Sequence, residues 1–219
     1  GLGAPVLLYL AAAGVGRLTL IDDDRVALSN LQRQILFRTG DVGASKVEAA
    51  ARELAAINPD VRIEMRAQRL DAANAAALLA DAPIVIDGTD TFAARFDLNA
   101  ACHARGQVLV SGAVGRWSAQ VSVFKSGLAR DPKTGPGGRL PCYRCWVADA
   151  PEREETCAAV GVVGPLTGMV GARLALEALK EITGAGESLA GRIWLFDAVS
   201  GESRTVRLPA DPRCPVCGG

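Results

Sequence analysis

Neither charge is in surplus: 24 Lys and Arg stand against 24 Asp and Glu in 219 residues. Proteins that bind nucleic acid or an anionic membrane through bulk electrostatics concentrate basic residues, so neither partner is expected. Long hydrophobic runs are also missing. The uncharged run 157–172 is too short to cross a bilayer and is broken by Gly161, Gly164, Pro165 and Gly168. No secretory leader is visible, which points to a cytoplasmic protein. Histidine occurs once, at His103, with no visible catalytic partner, and is read as a surface or packing residue. The chain opens on Gly1 rather than Met, so residues upstream of it are expected.

What is present is ordinary globular material, 49% hydrophobic and 22% charged, enough for one large domain or two small ones. Strand and helix patterns alternate. "LLYLAAAG" reads as a helix stopped at Gly14 and Gly16, and "RLTLID" as a short buried strand ending in acids. "GASKVEAAARELAAINPD" is a helix stopped by Asn58-Pro59, "VRIEMRAQRL" a strand, and "NAAALLADA" a helix. "PIVIDGTD" is a buried strand, "TFAARFDLNAACHARG" a helix, and "QVLVSGAV" a strand. This alternation implies a parallel sheet covered on both faces. Beyond residue 113 the pattern changes. "WSAQVSVFKSG" and "RIWLFDAVSGESRTVRLP" read as antiparallel strands, and "VGPLTGMVGARLALEALKEITG" as a helix closed by Gly184. Residues 127–140 and 147–157 are polar segments, the first rich in Gly and Pro.

Three features carry chemistry. Gly1 and Gly3 precede a helix, and Asp22 lies 21 residues after Gly1. Glycines let a backbone approach phosphate, a helix start favours anions, and an acid about 20 residues on suits ribose hydroxyls. Helix packing beside a strand-end acid is the plainer reading. Second, "VIDGTD" ends a strand in Asp87 and Asp90. Acids there either bind Mg²⁺ or cap the helix that begins at Thr91. Third, "LSNLQRQILF" sets Asn30, Gln32, Arg33 and Gln34 among Leu28, Leu31, Ile35, Leu36 and Phe37. Amides around an arginine in an apolar frame suggest a polar site, or amides bonded to a neighbouring loop.

Six cysteines are unevenly placed. Cys142 and Cys145 form one CxxC, Cys214 and Cys217 another, with 68 residues between the pairs. Four thiolates in two short loops suit tetrahedral Zn²⁺ with no open position, a structural site; a redox disulfide is the lesser reading. Cys102 sits in a helix pattern and reads as core. Cys157 follows a charged loop and precedes a helix entry, where a thiol is either activated or a small residue in a turn.

Taken in order, "GLG…YLAAAGVG", "DDDRVALSNLQRQILF", "GASKVEAA", "INP", "DGTD…R…LN", "CYRC", "TCAAVGVVGP" and "CPVC" resemble the MoeB/ThiF family over almost the whole chain. These are ATP-dependent adenylyltransferases of ubiquitin-like sulfur-carrier proteins, related to ubiquitin-activating enzymes. The resemblance implies one adenylation domain over 1–219, α/β in class. A Rossmann-like, mostly parallel sheet is flanked by helices, with a C-terminal antiparallel extension and a zinc knuckle formed by 142–145 and 214–217. It implies a homodimer that joins the carrier's C-terminal Gly-Gly carboxylate to AMP, with thiocarboxylate formation to follow from a separate sulfur donor. Arg33 and Lys46 match the family's phosphate-contacting residues, with Asn30 and Gln34 orienting phosphate and backbone. Asp22 matches the ribose acid and Asp90 the acid linked to Mg²⁺ and catalysis. Arg95, five residues on, would pair with Asp90, bind phosphate or make a structural bridge. Cys157 matches a position that in parts of the family takes part in sulfur transfer.

The sequence departs from the family at three points. The family's first strand, further glycines and a cross-subunit Arg would lie before Gly1. Thr91, counted among the cofactor-binding residues, stands where Asn is common, and "CGG" at the end mimics a carrier terminus only by the needs of a tight turn. Two other readings compete: an NAD(P)-dependent oxidoreductase, for which the Arg-amide cluster is unneeded and no proton donor is evident, and a non-catalytic activating-enzyme-like subunit, against which Arg33, Lys46 and Asp90 are retained.

Overall fold

A computed structural model describes residues 1–128, 138–151 and 161–218. The first helix, α1 (Gly3–Ala12), buries Ala4, Pro5, Val6, Leu10 and Ala11 and ends where Gly14 takes a positive φ of 78°. Strand β1 (Arg17–Ile21) follows with alternating exposure: Arg17 and Thr19 face out, Leu18 and Leu20 face in. It is therefore half-buried, not buried on both faces as its apolar composition suggests. Helix α2 (Lys46–Ile57) returns to β2 (Arg62–Arg66), which pairs parallel with β1 from Arg17↔Arg62 to Ile21↔Arg66. Only the first half of "VRIEMRAQRL" forms that strand. "NAAALLADA" likewise shrinks to the single turn α3 (Ala75–Leu78). The Asp71 carboxylate accepts from the backbone N–H groups of Ala73 and Asn74 and so winds the chain before it.

Strand β3 (Ile84–Asp87) pairs parallel with β4 (Val108–Val114) around helix α4 (Phe92–Arg105). The Thr91 hydroxyl accepts from the Ala94 N–H at the start of α4, and Gly106, at a φ of 63°, ends it. From β4 the sheet turns antiparallel through β5 (Ser118–Phe124), β6 (Arg192–Asp197) and β7 (Ser203–Arg207). A short turn, α5 (Tyr143–Trp146), and a long helix, α6 (Gly164–Thr183), lie between β5 and β6.

The described strands form two pieces of sheet, β1–β2 and β3–β4–β5–β6–β7. One hydrophobic core joins them, because Leu18 and Leu20 of β1 pack in the same cluster as Val110 of β4, Val121 and Val123 of β5, and Val170 and Leu174 of α6. Leu109, next to Val110, belongs to a second cluster with Leu98 and Cys102 of α4 and Tyr143 of α5. Neighbouring residues of a strand point to opposite faces, so helices cover both faces of the larger sheet, as the alternating pattern predicts. Helices α1 and α6 cross closely: a Cβ on Gly171 would lie 2.2 Å from Pro5 Cγ. No described helix is long and apolar enough to cross a membrane.

Candidate functional site

Parallel strands leave their carboxyl ends free for ligands, and both acid motifs sit there. Asp22 directly follows β1, where its N–H still donates to the Arg66 carbonyl at 3.2 Å. Burial raises its carboxyl above the ordinary range, against the opposing pull of the Asp24 N–H and the Lys46 ammonium. Asp87 is the last residue of β3 and is almost wholly buried. One of its oxygens accepts from the Thr89 N–H at 2.9 Å and the Thr89 hydroxyl at 2.7 Å, the other from the Ser111 hydroxyl at 2.8 Å. Asp87 is thus occupied in shaping its own loop. Asp90 is exposed at the loop's tip. Because Thr91 supplies the helix cap, the capping alternative for Asp90 falls away. Arg95 donates to the Thr89 carbonyl at 2.8 Å and braces the loop from below.

The glycine entry meets this loop. A Cβ on Gly88 would sit 3.3 Å from the Gly3 nitrogen, so the loop after β3 lies directly on the first turn of α1. That turn offers N–H groups with no partner inside the helix and a favourable field for anions. Gly1 lies against the third motif: a Cβ there would be 3.6 Å from Arg33 Cδ and 3.5 Å from Thr167 Cγ2 of α6. The helix start, the acid loop and the arginine are therefore neighbours, although 87 residues separate Gly1 from Gly88.

The "SNLQRQ" segment is a series of tight turns beginning with the short 3-10 turn Leu28–Asn30. The Asn30 side chain accepts from the Ala27 N–H at 3.2 Å, and its carbonyl accepts from the N–H groups of Arg33 and Gln34. Arg33 donates back to the Ser29 carbonyl at 3.1 Å, and Gln34 is buried. The segment docks on the start of α6: a Cβ on Gly164 would lie 2.3 Å from the Gln32 carbonyl oxygen, and the Thr167 hydroxyl, which donates to the Gly164 carbonyl at 2.7 Å, lies 3.4 Å from the Arg33 carbonyl. Part of the amide cluster thus serves the loop's own backbone. Its far end is fixed to α2 by Asp41, which accepts from the Arg38 N–H at 2.8 Å and pairs with Arg52.

Lys46 opens α2 with its side chain largely buried and its ammonium 2.6 Å from Asp24 and 3.9 Å from Asp22. Beyond the run of three acids, nothing local in the chain points to the Asp24 contact. The backbone explains it: the Lys46 N–H donates to the Asp24 carbonyl at 3.0 Å, beside a β-bridge from Arg25 to Ser45. The carboxylates of Asp22, Asp23 and Asp24 lie within 4.8 Å of one another, so the lysine sits against concentrated negative charge.

The four cysteines of the two CxxC loops converge, all sulfurs lying within 4.8 Å of one another. Cys142 and Cys214 are 3.5 Å apart and Cys145 and Cys217 3.4 Å, and none is in a disulfide. Four sulfurs around Zn²⁺ at about 2.3 Å define a tetrahedron with edges of roughly 3.8 Å, so the cluster fits such an ion. Burial pushes the Cys217 thiol up to about 12. The close approach of the Cys142 and Cys145 sulfurs pushes the first up and pulls the second down to about 5. The Asp211 N–H donates to the Cys145 sulfur at 3.4 Å. Cys102 is buried in α4, its thiol raised to about 12 by burial and secondarily by the Asp87 charge. His103 bonds Ser126 through Nδ1 at 2.9 Å, a packing role. Cys157 lies outside the described residues.

Comparison with known proteins gives a consistent result. A family model described as the ThiF family matches residues 1–216. The chain is 44% identical over 218 residues to the molybdopterin-synthase adenylyltransferase of Escherichia coli K12, covering all of this chain and 84% of that protein. It is 43% identical over 220 residues to the sulfur carrier protein adenylyltransferase of Thermus thermophilus, covering all of this chain and 79% of that one. The sulfur carrier protein ThiS adenylyltransferase of E. coli K12 is 42% identical, over all of this chain and 83% of its own length. Among solved structures, E. coli MccB with MccA-N7isoASN superposes with a TM-score of 0.79 at 22% identity. This chain is covered completely and spans 64% of that protein. At that identity the likeness speaks for the α/β fold alone.

Proposed function

This chain belongs to the ThiF family, and from that premise we propose that it is an ATP-dependent adenylyltransferase. Its substrate in this reading is a ubiquitin-like sulfur-carrier protein, whose C-terminal Gly-Gly carboxylate attacks the α-phosphate of ATP. Pyrophosphate leaves and an acyl-adenylate remains, ready for thiocarboxylate formation with sulfur from a separate donor. The observation that carries the reading is the meeting of Gly1 with Arg33 and of Gly88 with Gly3. It gathers a helix start, a guanidinium and an acid loop in one place. Likeness over the whole of this chain to proteins named adenylyltransferases supports it.

The chain's residues divide the work by chemistry. Two anions must approach each other, so cations and backbone N–H groups have to hold the phosphates and the charge growing on the leaving group. Gly1 and Gly3 let the phosphates reach the α1 start. Arg33 and Lys46 neutralise them, Lys46 exchanging Asp24 for phosphate, while Asn30 and Gln34 keep the Arg33 loop in shape. Asp22 accepts from the ribose hydroxyls. Asp90, left free because Thr91 caps α4, holds Mg²⁺, which when bound supplies further charge neutralisation. Cys142, Cys145, Cys214 and Cys217 hold Zn²⁺ as a closed structural site, and Cys157 serves sulfur transfer rather than adenylation. The protein works as a homodimer in the cytoplasm, as one adenylation domain over 1–219.

ATP–pyrophosphate exchange with the full-length chain and a panel of Gly-Gly carriers, added one at a time, tests the proposal. Exchange dependent on one carrier establishes the activity and identifies the partner together. ATP binding without exchange on any carrier removes the carrier assignment, and absence of ATP binding moves the chain to a non-catalytic subunit.

A further inference from the structure

Asn99 lies in the middle of α4, where asparagine is a poor helix former. It is 2% exposed, so it costs stability unless both ends of its amide are used. The Oδ1 end is used: it accepts from the N–H of Tyr143, in the turn of the first CxxC, at 2.7 Å. The Nδ2 end is buried and has no hydrogen-bond partner among the described residues. It lies against the sulfur of Cys142, the residue that precedes Tyr143 in the same turn.

We propose that Asn99 is a positioning residue of the cysteine cluster: its Nδ2–H donates to the Cys142 thiolate when a metal ion is held there, while its Oδ1 fixes the adjoining turn. The inference rests on the metal reading of the cluster. Only a neutral amide of this length offers an acceptor and a donor at once without bringing charge. Asp offers acceptors alone, and Ala offers neither. The two cysteines of the first CxxC are then served differently. Cys145 takes the Asp211 backbone N–H, which the fold supplies whatever the side chain. The donor to Cys142 exists only because residue 99 is Asn. Groups of this kind orient a ligand and tune its basicity, and their loss weakens metal binding.

Arg95 sits one helical turn before Asn99 on the same face of α4. It braces the Thr89 carbonyl and lies near the buried Tyr143 ring that follows Cys142. Asn99 and Arg95 thus link the cysteine turn to the loop that ends in Asp90.

The test uses the full-length chain reconstituted with Co²⁺ or Zn²⁺, with affinity measured by chelator competition and the thiolate-to-cobalt charge-transfer band by absorption. Wild-type protein that takes up neither metal removes the metal reading itself. Where wild type binds, Asn99→Asp keeps the acceptor for the Tyr143 N–H but loses the donor, and is expected to bind about 10- to 100-fold more weakly with a shifted band. Asn99→Ala, which adds no buried charge, is measured in parallel and is expected to weaken in the same range. Wild-type affinity and an unmoved band in whichever variant folds overturn the proposal and leave the metal site standing.

Discussion

The strand-end site and the cysteine cluster are opposite solutions to holding charge. At the strand ends the groups are open and provisionally paired: Asp90 is exposed, and Lys46 rests on an Asp24 that is itself two-thirds exposed. In the cluster Cys142, Cys214 and Cys217 are buried, and Cys145 is half-buried beneath the Asp211 N–H. An ion pair with one exposed partner is weak and exchanges that partner at small cost, which suits the phosphate-binding role proposed for this end of the sheet. Buried sulfurs cannot exchange anything without opening the fold, which suits a permanent tie. The difference predicts that lesions at the first site act on chemistry and lesions at the second on stability.

Asp90→Ala is the most severe way to break that contrast. It is expected to abolish pyrophosphate exchange while thermal unfolding stays near wild type; retained activity would remove the Mg²⁺ assignment. Arg33→Ala comes next, costing about 2–4 kcal/mol of transition-state stabilisation, by the scale of a lost oxyanion donor. Steady-state kinetics at saturating ATP read it, and an unchanged kcat would place Arg33 in the loop structure alone. Metal removal by a strong chelator should act in the other direction. The melting temperature falls and the segment after β7 becomes protease-sensitive, and an unchanged melt would argue against a tie.

Asp41→Asn gives the smallest effect and sharpens the contrast through pH. The Arg38 N–H, and then Arg52, hold the Asp41 carboxyl below the ordinary value of 3.8. A lowered carboxyl contributes stability that is present above the unfolded value and lost as pH falls through the folded one. The gap in stability between wild type and Asp41→Asn should therefore be constant near neutral pH and close below pH 3.8. Denaturant melts across that range check it, and a gap that persists in acid would mean the carboxylate contributes nothing as an ion.

Much of the frame was legible because it is written locally. Gly106 and Gly184 end α4 and α6 in the left-handed region, as glycine after an amphipathic run predicts. The CxxC pairs announced their cluster by spacing. Legibility failed where tertiary contacts decide. "NAAALLADA" has the composition of a helix but makes one turn, because Asp71 and Asn74 bind the preceding backbone into a tight loop. Asp87 and Asp90 look alike in sequence, yet Ser111, 24 residues away, claims the first and leaves the second free. The Lys46–Asp24 pair and the unfilled donor of Asn99 depend on partners 22 and 43 residues distant, and no local pattern carries that information.

The cluster has a consequence for how the chain folds. Cys142 and Cys214 close a loop of 72 residues that contains α6, β6 and β7. Closing such a loop by a covalent link costs about 4 kcal/mol of chain entropy, and a metal bridge meets a cost of the same kind. During synthesis the second CxxC emerges only after α6 and the β6–β7 hairpin have left the ribosome. A metal bridge between the two CxxC pairs would therefore close on an assembled sheet, as a late clasp that lowers the unfolding rate more than it raises the folding rate.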